Sequence, residues 1–383
     1  MPNKKKILHL VSADCEWEAA ANIASLAAGL REHGLISAIT APDHSRLWEV
    51  AEAAGVEVVD YAVTVSANPL KWMELSRKIK EGNFGLVHTH DAGAARLLSR
   101  SGFFFHPFGV VTTKYDGKHS PISAEYGSHV DAVIAPSQAC ANMFEKAGAR
   151  EKTTVVYDGV PVPAAERALE DRHDLRVKYR ENFCPGKEKP LFIVNIAPLE
   201  MESGHSAILE AMSEIVAILP QAHLLIMGEG TLADDLAKQT RITALGNDVT
   251  FLEPDKAFLR LLAAADLYVS ASTNDMSGFM VQAAMATGTG VVLTPTGCYP
   301  EMIEDGKSGV FALPENEQPL KTAMLDLLES RTRREHVGRL AKARAEKLFN
   351  NTNQAALVAE IYRTVAATKG PDDTTEADGA AVE

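Results

Sequence analysis

Short apolar runs alternate with amphipathic stretches of helical period, and this alternation occurs twice along the chain. No other feature limits the fold as strongly. In the first half KKILHLVSA, LISAIT, VEVVDYAV, FGLVHTH, GVVTTKY and VDAVIAPS read as strands. AANIASLAAGLREHG, SRLWEVAEAAG, NPLKWMELSRKIKEG and QACANMFEKAG carry apolar residues at helical spacing. Strands separated by helices pair in parallel through right-handed crossovers, which predicts a doubly wound α/β sheet. The alternation pauses in AAERALEDRHDLRVKYRENFCPGKEKP, read as a linker with a short helix. It restarts with PLFIVNIA, AHLLIMGEG, DVTFLEP, ADLYVSAS and GVVLTPT as strands. The expected organisation is a Rossmann-like domain over 1–165, a linker over 166–188 and a second Rossmann-like domain over 189–345. A helix over 346–369 is expected to cross back to the first domain, ahead of a disordered acidic tail over 370–383. Two such domains place the carboxyl ends of their strands across a cleft, the edge at which open α/β sheets bind ligands.

Composition narrows the function. The 383 residues carry a net charge of −13, a poor basis for nucleic-acid binding through a broad basic surface. No apolar run reaches the roughly 18 residues of a membrane span, which leaves peripheral membrane contact through a local basic patch. MPNKKKILHLVSA has a basic start, but acids follow its five-residue apolar run at once, so it reads as a buried first strand rather than a leader. Cys15, Cys140, Cys184 and Cys298 are far apart, with no C-x-x-C pair. That spacing predicts neither a zinc site nor a disulfide frame and fits a reducing cytoplasm.

The most specific stretch is residues 265–311. It runs from ADLYVSAS through STNDMSGFMVQAAMATG to GVVLTPTGCYPEMIEDGKSGVF. With FIVNIAPLEMESGHSAILEAM, LLIMGEG and, earlier, VIAPSQACANMFEKAG…VVYDGV, it resembles the retaining, nucleotide-sugar-dependent glycosyltransferases of the GT-B fold. The resemblance covers nearly the whole chain except the tail. It implies a nucleotide-sugar co-substrate, no further cofactor, and a glycan, lipid or small-molecule acceptor.

The residues that carry chemistry in that family are largely replaced. Its two glutamates, eight residues apart, fall on Asp275 and Ala283. Alanine cannot accept a ribose hydroxyl, and Gln282 beside it is turned by about 100° on a helix. The arginine and lysine that neutralise the donor diphosphate fall on Pro198 and Ser203, with Glu200 and Glu202 between them. Stabilising leaving-group charge is a large catalytic term, about 3 kcal/mol for one good donor. The glycine-rich turn after the first strand becomes SADCEWEAA, where Trp17 is a candidate plug for the donor cleft. The family histidine near the acceptor aligns with Tyr115, beside Lys114. The candidate catalytic residues are therefore Asp275, His90, Lys114 and Tyr115. The candidate donor contacts are Gly228, Gly230, Gly278, Glu301, Ser203 and Gln282. His88 and His90 form a pair without an evident third metal ligand, so no metal is expected. A catalytically silent descendant using the cleft to bind or scaffold is the alternative to a transferase.

Overall fold

The computed structural model describes residues 6–12, 15, 17–64, 68–101, 109–113, 130–146, 148–255, 257–275, 277–313 and 319–369. Among them, seven strands form one sheet. They are β1 (Lys6–Leu10), β2 (Ser37–Ala41), β3 (Glu57–Asp60), β4 (Phe84–Thr89), β5 (Gly109–Thr113), β6 (Ala132–Ala135) and β7 (Thr153–Val155). The order is β3-β2-β1-β4-β5-β6-β7, and every pairing is parallel. A sheet covered on both faces needs apolar strands, and Ile7, Leu8, Leu10, Ala38 and Ile39 are all buried. The covering helices are α1 (Trp17–Gly29), α2 (Arg46–Ala53), α3 (Pro69–Glu81), α4 (Ala92–Ser101) and α5 (Gln138–Lys146). Local caps set two of their starts. Ser45 accepts from Trp48 N–H at α2, and Asn68 accepts from Leu70 N–H at α3, with Pro69 in the first turn.

The second sheet has six described strands: β8 (Leu191–Ile196), β9 (Ala222–Met227), β10 (Val249–Leu252), β11 (Leu267–Ser270), β12 (Gly290–Leu293) and β13 (Val310–Phe311). Their order is β10-β9-β8-β11-β12-β13, again all parallel. In this half come α8 (His205–Ile218), α9 (Ala233–Ile242), α10 (Phe258–Ala264), α11 (Phe279–Ala286), α12 (Tyr299–Met302), α13 (Leu320–Leu328) and α14 (Arg331–Leu348). Every residue of α11 is buried, as its apolar, nearly moment-free sequence requires.

The stretch expected as a linker is two helices, α6 (Val162–Glu170) and α7 (Arg172–Phe183). Arg176 of α7 donates to the carbonyls of Ala264 and Pro190 and pairs with Asp266 at 2.8 Å, which fixes it to the second domain. The last helix, α15 (Asn351–Lys369), lies on the first domain. There Ala355, Val358, Tyr362 and Val365 pack with Ile7, Leu26 and Leu86. The two chain crossings between the domains run side by side. Val160 N–H donates to Phe349 O at 2.8 Å, and Asn351 N–H donates to Val160 O at 3.1 Å. No helix among the described residues is long and apolar enough to cross a membrane.

Candidate active site

Strand order reverses between β1 and β4 in the first sheet and between β8 and β11 in the second. Such switch points open a crevice at the strand carboxyl ends. In the first domain Asp91 joins the segments that follow β1 and β4. Its carboxylate accepts from Ser12 N–H at 2.7 Å and from the Ser12 hydroxyl, and it caps α4 through Ala94 N–H at 2.7 Å. In the second domain the loops after β8 and β11 are joined by Thr273 N–H donating to Glu202 O at 2.8 Å. Gly204 makes this approach possible. Its φ is 75°, and an added Cβ would lie 2.1 Å from Ala271 O. Between the domains lies a cavity of ≈ 50 Å³ lined by Trp17 and Glu18 on one side. Ile196, Ala197, Pro198, Met227, Gly228, Glu229 and Pro254 form the other.

Asp275 stands at this crevice, yet both its oxygens are engaged within the fold. Oδ1 accepts from Ser277 N–H at 2.9 Å and Gly278 N–H at 2.8 Å, and Oδ2 accepts from Tyr299 O–H at 2.9 Å. Gly278 is the left-handed N-cap of α11, φ 70°. Gln282 is fully buried, with Nε2 donating to Ser277 O at 3.3 Å. Its Oε1 meets no partner among the described residues, and Ala283 is a core residue. Ser203 is buried in the turn before α8. Gly228 lines the cavity and lets Ala197 O approach, while Gly230 packs against the Leu199 backbone away from the lining. Glu301 does cap a helix, but one in the other domain. It accepts from Gln138 N–H at 2.7 Å and Ala139 N–H at 2.8 Å of α5, and from Tyr157 O–H at 3.0 Å. Burial, then Glu301, pushes the Tyr157 phenol up to about 12.

The first-domain histidines are interior. His90 is 2% exposed. The third histidine missing from the sequence reading is His9, whose Nδ1 lies 2.8 Å from His90 Nε2. The three imidazoles bring nitrogens within 4.8 Å of one another. That spacing would suit three ligands of one metal ion, and the His88 and His90 rings are tilted by 36° with centroids 4.0 Å apart. His88 also has its nitrogens at 2.6 Å from Tyr362 Oη and 2.7 Å from Thr113 Oγ1. Burial lowers His9 to about 3 and holds His88 and His90 well below the usual range, so the cluster is neutral. Lys114 and Tyr115 lie outside the described residues.

Charge at the cleft differs from the sequence expectation. Pro198 and Ser203 supply no cation. His205, next to Gly204, does not replace them, because burial lowers it to about 4. Glu200 is turned aside to Thr231, accepting from its N–H at 3.0 Å and its hydroxyl at 2.7 Å. A cation does arrive from the facing domain: Arg46, at the start of α2, pairs with Glu229 on the cavity lining. Sequence reasoning missed it because Arg46 and Glu229 are 183 positions apart. Burial and neighbouring Asp275 raise the Cys298 thiol and the Tyr299 phenol well above their ordinary values, so both stay protonated.

Residues 180–344 match the family described as glycosyl transferases group 1, and residues 19–162 match glycosyltransferase family 4. The phosphatidyl-myo-inositol mannosyltransferase of Mycolicibacterium smegmatis is 24% identical over 386 residues, 94% of this chain and 92% of that protein. Spore coat protein SA of Bacillus subtilis is 26% identical, covering 56% of this chain and 59% of that one. Sulfoquinovosyl transferase of Arabidopsis thaliana is 28% identical, covering 42% of this chain and 31% of that one. The match thus spans between about a third and three-fifths of these last two relatives. Among solved structures, HepE of Anabaena in complex with UDP and glucose superposes with a TM-score of 0.79 at 20% identity. It covers 94% of this chain and 100% of that one, which shows a shared fold. Each half of the chain thus resembles a glycosyltransferase family model, and the two-domain architecture is the GT-B fold.

Proposed function

We propose that this protein transfers a sugar, with retention at the anomeric carbon, from a nucleotide-activated donor held in the interdomain cleft. The observation that carries the reading is the cavity itself. It lies at the strand ends of the second sheet and is lined from both domains, with an arginine at its mouth. HepE, of the same fold, is seen with UDP and glucose. The acceptor is a glycan, lipid or small molecule. The mannosyltransferase match over 94% of the chain makes a lipid such as phosphatidyl-myo-inositol the first class to test. Pro198, Ser203 and Ala283 stand where the resemblance expects two cations and a ribose acid, so we expect a slow enzyme or an unusual donor. A cytoplasmic setting is part of this reading, since the four cysteines are widely spaced with no C-x-x-C pair.

Thermal unfolding with UDP, GDP and ADP at millimolar concentration tests the reading. A ligand at a hundred times its Kd stabilises by about 2.7 kcal/mol. One of the three should raise Tm, and no shift with any of them contradicts the proposal. One observation favours a catalytically silent binder: both Asp275 oxygens are already spent. The comparisons lend that alternative no support, and nucleotide binding without any donor cleavage would select it.

A further inference from the structure

We infer that Trp17 occupies the slot that the donor's nucleobase takes, so that indole and nucleotide compete for one place. This deepens the proposed donor reading and rests on it. Trp17 begins α1 of the first domain but is buried in the apolar cluster of the second, with Ile196, Met227, Phe258 and Phe279. Only 6% of it is exposed, and its ring stands edge-on to Phe258 with centroids 5.2 Å apart at 86°. A flat aromatic group from across the cleft is thus already seated at the carboxyl ends of β8 and β9.

The space left beside the indole is ≈ 50 Å³. Ligand pockets run to roughly 300–1,000 Å³, so among the described residues the indole fills most of the room that a nucleobase would need at this place. The walls that Trp17 leaves behind suit a purine or pyrimidine, because Ile196, Pro198, Met227, Pro254 and Phe258 are apolar and offer an aromatic edge. The rim suits the polar remainder. Glu229 and Glu18 can accept from base N–H groups, and Arg46, paired with Glu229, can exchange that partner for a phosphate. Self-occupation lowers the apparent affinity by the fraction of molecules whose slot is open.

Isothermal titration of UDP, GDP and ADP into the full chain, the wild type beside Trp17→Ala and Trp17→Phe, tests this. We expect Trp17→Ala to bind one nucleotide about ten-fold more tightly than the wild type, with Trp17→Phe between them. Equal or weaker affinity in both variants overturns the inference and leaves the donor reading standing. No binding by any of the three proteins overturns both. If Trp17→Ala fails to fold, a Trp48→Phe, Trp72→Phe double variant makes Trp17 the sole fluorophore. Saturating nucleotide should then shift its emission to the red, and an unchanged spectrum on demonstrated binding overturns the inference.

Discussion

Asp275 was legible in the sequence as the acid at the mouth of α11, but its use was not. Its partner Tyr299 lies 24 positions on, and helical spacing says nothing about a contact made through a loop. The carboxylate caps two amides and holds a buried phenol. Both amides lie in the turn ahead of α11, and a hydrogen bond to a charged group contributes about 1.5–3 kcal/mol. Asp275→Ala should therefore lower stability by about 2 kcal/mol or more. Asp275→Asn, which keeps an acceptor for the cap, should lose less, as urea midpoints will show. Equal losses in both would mean that the charge, not the cap geometry, carries the effect. Histidine burial predicts a pH dependence. His9 is lowered to about 3 and His205 to about 4, from 6.5. Folding keeps both neutral, so their contribution is complete above pH 6.5 and is lost as pH falls toward those values. His88, His90 and His223 are lowered by burial as well, so stability should fall below pH 6.5 by up to about 1.4 kcal/mol per pH unit for each histidine kept neutral. Urea unfolding between pH 7 and pH 5 measures this, and a flat profile would contradict it.

Among the elements, those with strong apolar period could be read directly. Every strand read from the sequence whose residues are described appears, and α15 packs on the first domain through Ala355, Val358 and Tyr362. The helices α6 and α7 were read as mostly linker, for a physical reason. Among the residues of α7, Leu175 is the buried one, so almost no apolar period is present. That helix is held by polar contacts instead. Arg172 and Arg176 donate to the Ala265 and Ala264 carbonyls at the end of α10, and Arg176 pairs with Asp266. Such contacts join residues about 90 positions apart and leave no local signature. Removing one partner of a largely buried ion pair costs about 3–5 kcal/mol. Asp266 retains Arg334 at 3.5 Å, so Arg176→Ala should cost nearer the lower figure, measured by denaturant unfolding. A loss below about 1 kcal/mol would show that α7 is dispensable to the second domain.

For the molecule as a whole, the doubled α/β pattern was enough to place two sheets and a cleft, while the contacts that close the cleft were not foreseeable. Trp17 on Phe258, Arg46 on Glu229 and Glu301 on the start of α5 each join residues more than 160 positions apart. The buried Asp158, beside the paired chain crossings, receives Ser277 Oγ from one side and Gln354 Nε2 at 3.3 Å from another. Glu301 is the most separable of these links. A charged hydrogen bond worth about 1.5–3 kcal/mol holds its amides closed, so Glu301→Gln should speed hydrogen exchange at Gln138 and Ala139 about ten-fold or more. Unchanged exchange there would remove Glu301 from the clasp. Turnover decides whether this cleft takes a nucleotide-activated sugar and cleaves it. Phosphorus NMR of the full chain incubated with UDP-, GDP- and ADP-glucose or -mannose, with and without phosphatidyl-myo-inositol vesicles, follows release of the nucleoside diphosphate. One donor should yield its diphosphate above the no-enzyme rate. Intact donors throughout, at protein concentrations that bind them, would contradict the proposed transfer.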